Sequence, residues 1–232
     1  MKSLKFILLS TIAFLLLTSV KLFSQTEVER EVDQFSSIDM RISGNLYLSQ
    51  GDQTKLVIKG DPGDIEDLQT YVKSDRLVIR FDSWKIKYDK LDIYVTTPAV
   101  NGIEVSGSGN VEAQTAIQSD DLKLEVNGSG EITIQELNAP EVDVEISGSG
   151  EVKLAGSEFT REMEIEISGS GDVEAFGLQI KKCAAEITGS GEAEVFVTEK
   201  LVVEISGSGD VYYKGSPQID ADITGSGKVK SK

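Results

Sequence analysis

Apolar and polar residues alternate with a period of two through much of the C-terminal half of the chain. Strict alternation of this kind is typical of a β-strand that buries one face and exposes the other. The apolar positions of one such stretch are Val142, Val144, Ile146, Gly148, Gly150, Val152 and Leu154. A slip of one residue in strand pairing would turn all of them toward water, so the pattern specifies the register strongly.

A four-residue motif, [Ser/Asn/Thr]-Gly-Ser-Gly, interrupts these stretches at a nearly constant spacing. Its copies begin at Ser106, Asn127, Ser147, Ser168, Thr188, Ser206 and Thr224, which is a step of 18–21 residues. The alternation passes through the motif and predicts that both glycines lie on the inner face of a sharp corner, where a side chain has no room. The predicted corner glycines are Gly107, Gly109, Gly128, Gly130, Gly148, Gly150, Gly169, Gly171, Gly189, Gly191, Gly207, Gly209, Gly225 and Gly227.

Each repeat therefore consists of a strand, a Gly-Ser-Gly corner, a second strand and a looser return. One repeat cannot bury its own apolar face, so successive repeats must stack in parallel, about 4.8 Å apart. We predict an all-β fold, a parallel β-helix-like solenoid with coils of 18–21 residues over positions 101–232. Cys183 alternates in phase with Ala185 and Ile187, which predicts a small buried apolar residue.

Residues 25–100 lack the motif but keep strand patterns, as in the alternation of Met40, Ile42 and Leu46. We interpret this part as irregular N-terminal coils that cap the stack, because repeat proteins need a protected end. Residues 25–232 then form one continuous domain; a separate sandwich-like subdomain is the alternative. A short helix is predicted from Asp64 to Val72, with Pro62 just ahead of it.

The first residues have the pattern of a secretory signal peptide. Lys2 and Lys5 precede an apolar run that ends at Thr18, and small or polar residues follow to the predicted cut near Ser24. The apolar run is shorter than the about 20 residues that a membrane-spanning helix needs. We predict a leader over residues 1–24 and an exported protein without a transmembrane segment after cleavage. Its place is the periplasm, the outer membrane surface or the extracellular space.

Charge and composition exclude several functions. The chain has 39 acidic and 23 basic residues, a formal net charge of −16 at pH 7, and no histidine. An acidic surface repels nucleic acid, and the lack of histidine removes the commonest general base and metal ligand. A serine triad and a zinc site are not predicted, and Gly-Ser-Gly is not a phosphate loop because no Lys-Ser/Thr follows. We predict a non-enzyme without catalytic residues.

Stacking of the repeats predicts two columns of acidic residues on the outer face. One holds Glu104, Glu125, Glu145, Glu166, Glu186, Glu204 and Asp222, and the other holds Asn110, Glu131, Glu151, Asp172, Glu192, Asp210 and Lys228. Carboxylate-rich sets suit Ca²⁺, so the hypothesis is that the columns bind calcium or a cationic partner. Neither a Gly-Gly-x-Gly-x-Asp repeat nor an EF-hand pattern occurs, and a solubilising face is the alternative. No other cofactor is predicted.

Two further surfaces are candidates for partner binding. The motif serines form a predicted ladder that would suit a long polar polymer such as a glycan, although corner formation explains the same residues. The ladder consists of Ser108, Ser129, Ser149, Ser170, Ser190, Ser208 and Ser226. Four aromatic residues outside the inner face are candidates for a contact patch: Phe196, Tyr212, Trp84 and Tyr88.

Several segments, taken in order, resemble a known family. They are Phe35-Ser-Ser-Ile-Asp-Met-Arg-Ile-Ser-Gly44, Leu56-Val-Ile-Lys-Gly-Asp61, Leu77-Val-Ile and Ile103-Glu-Val-Ser-Gly-Ser-Gly-Asn-Val111. Together they resemble the exported "putative auto-transporter adhesin, head GIN domain" family, which is common in Bacteroidetes. The resemblance covers residues 30–230. It implies a right-handed parallel β-helix-like domain and supplies no catalytic residues.

Two classes of function remain open from the sequence. The first is an exported binding or adhesion module that presents an extended acidic solenoid surface to a glycan or to a protein of the cell surface or envelope. The second is a periplasmic structural or interaction protein without an external ligand. A glycan-active enzyme would need two carboxylates across a cleft, and the many acids single out no pair.

Overall fold

The computed structural model of the protein describes residues 26–82, 87–89 and 91–232. The predicted leader and Trp84 lie outside the described residues. The protein is nearly all β, with 71% of residues in strands and 3% in helix, and it forms a β-solenoid of about six turns. The predicted fold class is therefore confirmed. In the part of the chain that the structure describes, no helix has the length and apolar character to cross a membrane.

Twenty strands and one helix make up the described chain. The N-terminal elements are β1 (Thr26–Arg30), β2 (Ser37–Arg41), β3 (Asn45–Gln50), β4 (Lys55–Gly60), α1 (Pro62–Asp67), β5 (Gln69–Lys73), β6 (Arg76–Arg80) and β7 (Asp92–Thr97). The next are β8 (Gly102–Gly107), β9 (Asn110–Ala113), β10 (Ile117–Gln118), β11 (Asp121–Gly128), β12 (Glu131–Ile134), β13 (Leu137–Asn138) and β14 (Glu141–Gly148). The last are β15 (Glu151–Gly169), β16 (Asp172–Gly189), β17 (Glu192–Gly207), β18 (Asp210–Gly215), β19 (Gln218–Gly225) and β20 (Lys228–Ser231).

The strands stack into two broad parallel faces that meet at the Gly-Ser-Gly corners. On the first face the neighbours run β6, β2, β8, β11, β14, β15, β16, β17 and β19. On the second face they run β7, β3, β9, β12, β15, β16, β17, β18 and β20. The long strands β15, β16 and β17 contribute to both faces, and equivalent residues of successive repeats pair directly.

The N-terminal strands continue both faces in an order that differs from the order along the chain. β2 lies between β6 and β8, and β3 lies between β7 and β9. Beyond them the pairing becomes antiparallel, with β4 on β7, β1 on β4 and β5 on β6. The parallel stack thus ends on this side in antiparallel strands.

The helix is shorter than the sequence predicts. It spans Pro62–Asp67, and the side chain of Asp61 accepts a hydrogen bond from the backbone N–H of Gly63 at its start. Leu68 takes extended backbone angles, and residues 69–73 form β5, which pairs with β6. The prediction of a helix to Val72 is wrong because strand pairing overrides the local apolar spacing.

The two glycines of each motif are needed for different reasons. In the repeat at Ser147, Gly150 is buried, and an added Cβ would overlap Cγ1 of Val126 in the preceding coil. Gly148 is only half-buried and has a φ of +125°, a conformation that residues with a Cβ rarely adopt. Its added Cβ would meet the carbonyl oxygen of Gly128 in the coil below. The alternation alone predicts that the first glycine lies on the inner face, and this prediction is wrong. Its left-handed backbone directs the position that a side chain would occupy along the stack, toward Gly128.

The inward side chains form one continuous apolar column. Leu122, Leu124 and Val126 are fully buried, and equivalent residues of the later coils pack above them. Cys183 lies in this column, and burial raises the pKa of its thiol to about 12. It is therefore a small buried residue with a protonated thiol at neutral pH.

Candidate functional site

A continuous column of carboxylates runs up the first face, and we call it the first carboxylate column. Its members are direct register partners on successive strands because each lies at an outward position between two inward apolar residues. They are Glu104, Glu125, Glu145, Glu166, Glu186, Glu204 and Asp222. Below Glu104 the column continues with Asp39 of β2, which is fully buried and which the sequence pattern did not single out.

The chain itself supplies cations to the lower part of the first carboxylate column. Arg41 holds Asp39 through Nη2 at 2.5 Å from Oδ2, and Nη1 of Arg76 lies 2.5 Å from Oε2 of Glu104. The ammonium group of Lys123 bridges two successive rungs, at 2.8 Å from both Glu125 and Glu145. Hydrogen bonds to these two carboxylates raise the pKa of Lys123 above its ordinary value. An ammonium ion thus fits between adjacent rungs.

The upper part of the same column differs in its surroundings. Glu166, Glu186 and Glu204 are exposed, and the described residues supply no ion pair to any of them. Two residues before Glu186 and Glu204, the outward positions hold the apolar residues Ala184 and Val202. We call the strip formed by these five side chains the upper acidic strip.

An open groove of about 490 Å³ borders the upper acidic strip. Ala184 and Val202 form part of its lining, and Lys182 and Lys200 lie on the side away from Glu166, Glu186 and Glu204. The groove is also lined by four other acids: Glu141, Asp143, Glu162 and Glu164. The ammonium group of Lys182 is paired with Glu162 at 3.1 Å. The surface therefore combines a short apolar floor with a row of carboxylates, a combination that suits side chains with an aliphatic stem and a cationic end.

The second predicted column is present on the second face. Register pairs join Asn110, Glu131, Glu151, Asp172, Glu192, Asp210 and Lys228 in that order. Nζ of Lys153 bridges Glu131 and Glu151, at 3.1 and 2.7 Å. Higher in the column, burial and neighbouring acids raise the pKa of Glu192, although Lys232 counteracts part of this effect. Lysine bridging of two successive carboxylates thus occurs on both faces.

The geometry of the columns bears on the calcium hypothesis. Among the described residues, no three histidine, cysteine, aspartate or glutamate side chains are arranged to hold a metal ion. The carboxylates are strung out one strand apart and do not converge on a point. A calcium ion on a column would thus be bound by two side chains at a time and would take its remaining ligands from water. Calcium binding stays a prediction.

The serine ladder is exposed along the corners, and its backbone belongs to the stack. The N–H groups of Ser129, Ser149 and Ser170 each donate to a glycine carbonyl of the preceding coil, at 2.8 Å. These backbone hydrogen bonds hold the corners of successive coils together and do not depend on what the hydroxyl groups bind.

The aromatic candidates are dispersed over the molecule. Tyr212 donates a hydrogen bond to Asp210, and Lys232 lies 4.1 Å from its ring centre. The hydroxyl of Tyr88 accepts from the backbone N–H of Ser43, and its ring packs on Phe81. These contacts indicate that Tyr88 stabilises the fold. Phe196 is half-buried and lies near the other end of the stack.

Sequence reasoning missed the aromatic pair Tyr47 and Tyr94. Their rings stack on the second face with centres 5.0 Å apart. The alternation does predict that each tyrosine points outward; Tyr47, for example, lies between the inward residues Leu46 and Leu48. Their adjacency depends on the pairing of β3 with β7, which the repeat does not predict.

These features define a class of protein: a parallel β-solenoid that presents ladders of equivalent polar side chains on its outer faces. A family model described as "Putative auto-transporter adhesin, head GIN domain" matches residues 34–217, and the chain belongs to this family. The resemblance stated from the sequence segments is thereby confirmed. A comparison with curated proteins finds no match.

Solved structures with the same fold come from Bacteroides fragilis and Parabacteroides distasonis. A "putative adhesin" from Bacteroides fragilis is 28% identical, with a TM-score of 0.83, over 90% of this chain and 98% of that one. A "putative adhesin" from Parabacteroides distasonis is 23% identical, with a TM-score of 0.74, over 90% and 97%. A "putative lipid binding protein" from the same organism is 22% identical, with a TM-score of 0.75, over 90% and 96%. Membership of an adhesin-type family indicates an exported or surface protein.

Proposed function

We propose that the protein is a non-catalytic binding module of the cell envelope whose upper acidic strip docks a lysine- or arginine-bearing segment of a protein partner. The observation that carries the proposal is the bridging of successive carboxylates by Lys123 and by Lys153. The same rung spacing continues through Glu166, Glu186 and Glu204, where the described chain supplies no cation. A partner's ammonium groups would occupy equivalent positions there.

The apolar floor makes a cationic polypeptide a better fit than a bare metal ion. The aliphatic stem of a lysine side chain can cover Ala184 and Val202 while its ammonium group reaches the carboxylates. Removal of apolar surface from water then contributes binding free energy in addition to the Coulomb attraction, which solvent and salt weaken. A calcium ion would use the carboxylates and leave the floor uncovered.

Binding of an oligolysine peptide to the chain over residues 25–232 tests this proposal. Glu166, Glu186 and Glu204 are changed together to Gln, and the matched control changes Asp52, Glu158 and Glu199, three exposed acids outside the columns, to Asn or Gln. We expect affinity to fall about tenfold or more in the first variant, since three pairs of up to about 1 kcal/mol each are lost. The control has the same net charge and should change by less than about twofold.

An equal loss of affinity in both variants would refute a localised site, because only net charge would then matter. Titration with millimolar Ca²⁺ supplies a second comparison. The calcium alternative would be favoured if Ca²⁺ raised the melting temperature of the unaltered protein but not that of the variant at Glu166, Glu186 and Glu204, and if neither protein bound the peptide.

The proposed place in the cell envelope is tested separately, by treating intact cells with protease and then detecting the protein. Loss of the protein, with a periplasmic control protein untouched, is expected for an adhesion module on the surface. Full protection until the outer membrane is opened would contradict adhesion and favour the periplasmic alternative, which cross-linking to neighbouring proteins would then define.

A further inference from the structure

The aromatic pair on the second face has one covered side and one open side. Register places Tyr47 between Tyr94 of β7 and Glu112 of β9. Tyr94 stacks on one face of the Tyr47 ring, and the ammonium group of Lys59 lies 4.7 Å from the centre of the Tyr94 ring on the β4 side. The aromatic stack thus ends at Tyr47, whose other ring face points along the sheet toward Glu112.

The open face of Tyr47 forms one wall of a groove of about 360 Å³. This volume falls within the roughly 300–1,000 Å³ that small-molecule sites span. The remaining lining is almost wholly polar at its rim, and consists of Asn45, Asn110, Glu112, Glu131, Thr133 and Lys153, with Leu46 and Val111 beneath. The groove therefore places one flat apolar surface next to amide, carboxylate and hydroxyl groups.

The polar groups in this groove differ in whether they already make hydrogen bonds within the protein. The amide of Asn45 donates to Asp92 at 2.8 Å, and Glu131 accepts from Lys153 and Thr133. Asn110 and Glu112 are exposed at the centre of the lining. Asn110 supplies both a donor and an acceptor, and Glu112 supplies acceptors only.

We propose that this groove binds one pyranose ring of a neutral glycan, with an apolar C–H face of the sugar on the open face of Tyr47. A pyranose has one relatively apolar face and an equatorial rim of hydroxyl groups, each both donor and acceptor, which matches a ring face bordered by Asn110 and Glu112. Such a site is mostly apolar where the ligand lies flat and carries a few polar groups that fix its orientation.

The charges of the groove favour a neutral sugar over an acidic one. Lys153 is shared between Glu131 and Glu151, and these two carboxylates outweigh its single positive charge. Glu112 and Asp92 add negative charge beside Tyr47 and Asn45. An anionic sugar would meet like charge at close range. This site is independent of the upper acidic strip, which lies on the first face.

A structural role for the tyrosines accounts for only half of this arrangement. Cross-strand aromatic pairs stabilise neighbouring strands, and this explains the contact between Tyr47 and Tyr94. The same role does not require the second face of Tyr47 to border a polar groove. The experiment must therefore separate loss of the stack from loss of the groove.

NMR titration with the methyl glycosides of glucose, galactose, mannose and N-acetylglucosamine, with glucuronic acid as the anionic comparison, tests the proposal. We expect at least one neutral glycoside to shift the amide signals of Tyr47, Asn110 and Glu112. Saturation transfer from tyrosine protons to the sugar C–H groups should accompany the shifts. Glucuronic acid should cause neither effect.

Four variants separate the groove from the fold. Tyr47→Phe keeps the ring and should keep binding, whereas Tyr47→Ala should weaken it at least about tenfold, the factor that 1.4 kcal/mol corresponds to. Asn110→Ala leaves the aromatic stack intact and should weaken binding by itself. Tyr71→Ala removes an exposed tyrosine of β5 and should change nothing. Absence of shifts with every glycoside, or unaltered binding by Asn110→Ala and Tyr47→Ala, would overturn the proposal.

Discussion

At the scale of single residues, the repeat depends on two glycines with separate tasks. Gly148 supplies a left-handed backbone that brings its N–H and C=O groups into the ladder between coils. Gly150 leaves space on the inner side of the corner for Val126 of the preceding coil. Ser149 between them is exposed, and its backbone N–H donates to Gly128. The three neighbours therefore tolerate substitution very differently.

Substitution of these residues by alanine makes the difference measurable. Gly148→Ala should lower the free energy of unfolding by about 1–2 kcal/mol from the left-handed conformation, with a further loss from contact with Gly128. Gly150→Ala should cost about 1–3 kcal/mol through overpacking against Val126. Ser149→Ala is the control, and should stay within about 0.5 kcal/mol. Urea unfolding measures all three, and equal effects at the three positions would contradict the assignment.

The buried thiol of Cys183 gives a pH-dependent prediction. Burial raises its pKa from 9.0 to about 12, so the folded state keeps the proton that the unfolded state loses. The resulting stability is present in full below pH 9 and is lost as the pH rises from 9 toward 12. The loss approaches about 1.4 kcal/mol per pH unit in that window. Comparison of urea unfolding at pH 8 and pH 10.5 with Cys183→Ala isolates this effect, since all other titrating groups are shared. Identical pH dependence in both proteins would show that the thiol is not buried as described.

At the scale of strands, the sequence predicts neighbours only where the motif repeats. Residues one motif apart are register partners from β8 to β20, so both carboxylate columns were predictable residue by residue. Alternation in β2 and β3 predicts which side chains point inward but carries no information about the partner strand. The insertion of β2 between β6 and β8, and hence the meeting of Tyr47 with Tyr94, follows from tertiary packing alone.

The lysine bridge on the first carboxylate column also acts between strands. Lys123 joins Glu125 of its own strand to Glu145 of the next, and its removal leaves two carboxylates as direct parallel neighbours. Like charges in this arrangement are destabilising. Because the lysine side chain is 45% exposed, solvent screening limits the loss in Lys123→Met to about 1 kcal/mol or less.

Thermal unfolding of Lys123→Met at low and at about 1 M salt tests this bridge, because about 1 M salt shortens the screening length to about 3 Å. The deficit in melting temperature should be largest at low salt and should shrink at high salt. Lys181→Met is the control, since Lys181 is an exposed lysine of β16 that precedes the paired Lys182. A deficit that does not depend on salt would mean that the lysine stem, and not its charge, stabilises the strands.

At the scale of the whole molecule, the solenoid is a one-dimensional stack in which each coil contacts only its neighbours. Stability is then a sum of coil and interface terms, and it varies along the stack. The coils of β14, β15 and β16 have neighbours on both sides and bury their inward residues fully. β19 pairs with β17, and its residues are exposed throughout, with Ile219 and Ile223 at 40% and 38%.

Hydrogen exchange of this chain should follow that gradient. We expect the amides of β19 and β20 to exchange first, because opening the last coil exposes little additional apolar surface. The amides of β14 to β16 should exchange last, since their opening breaks hydrogen bonds to coils on both sides. Mass spectrometry of peptides from each coil measures the order of exchange. The sum of coil and interface terms predicts that the remaining coils exchange at rates between those of the last coil and those of β14 to β16. Uniform exchange along the stack would instead require one cooperative unit, in which the antiparallel strands at the N-terminal end and the exposed last coil unfold together with the centre. That outcome would contradict the proposed gradient, because β19, whose residues are exposed throughout, would then be as strongly protected as β15 in the centre of the stack.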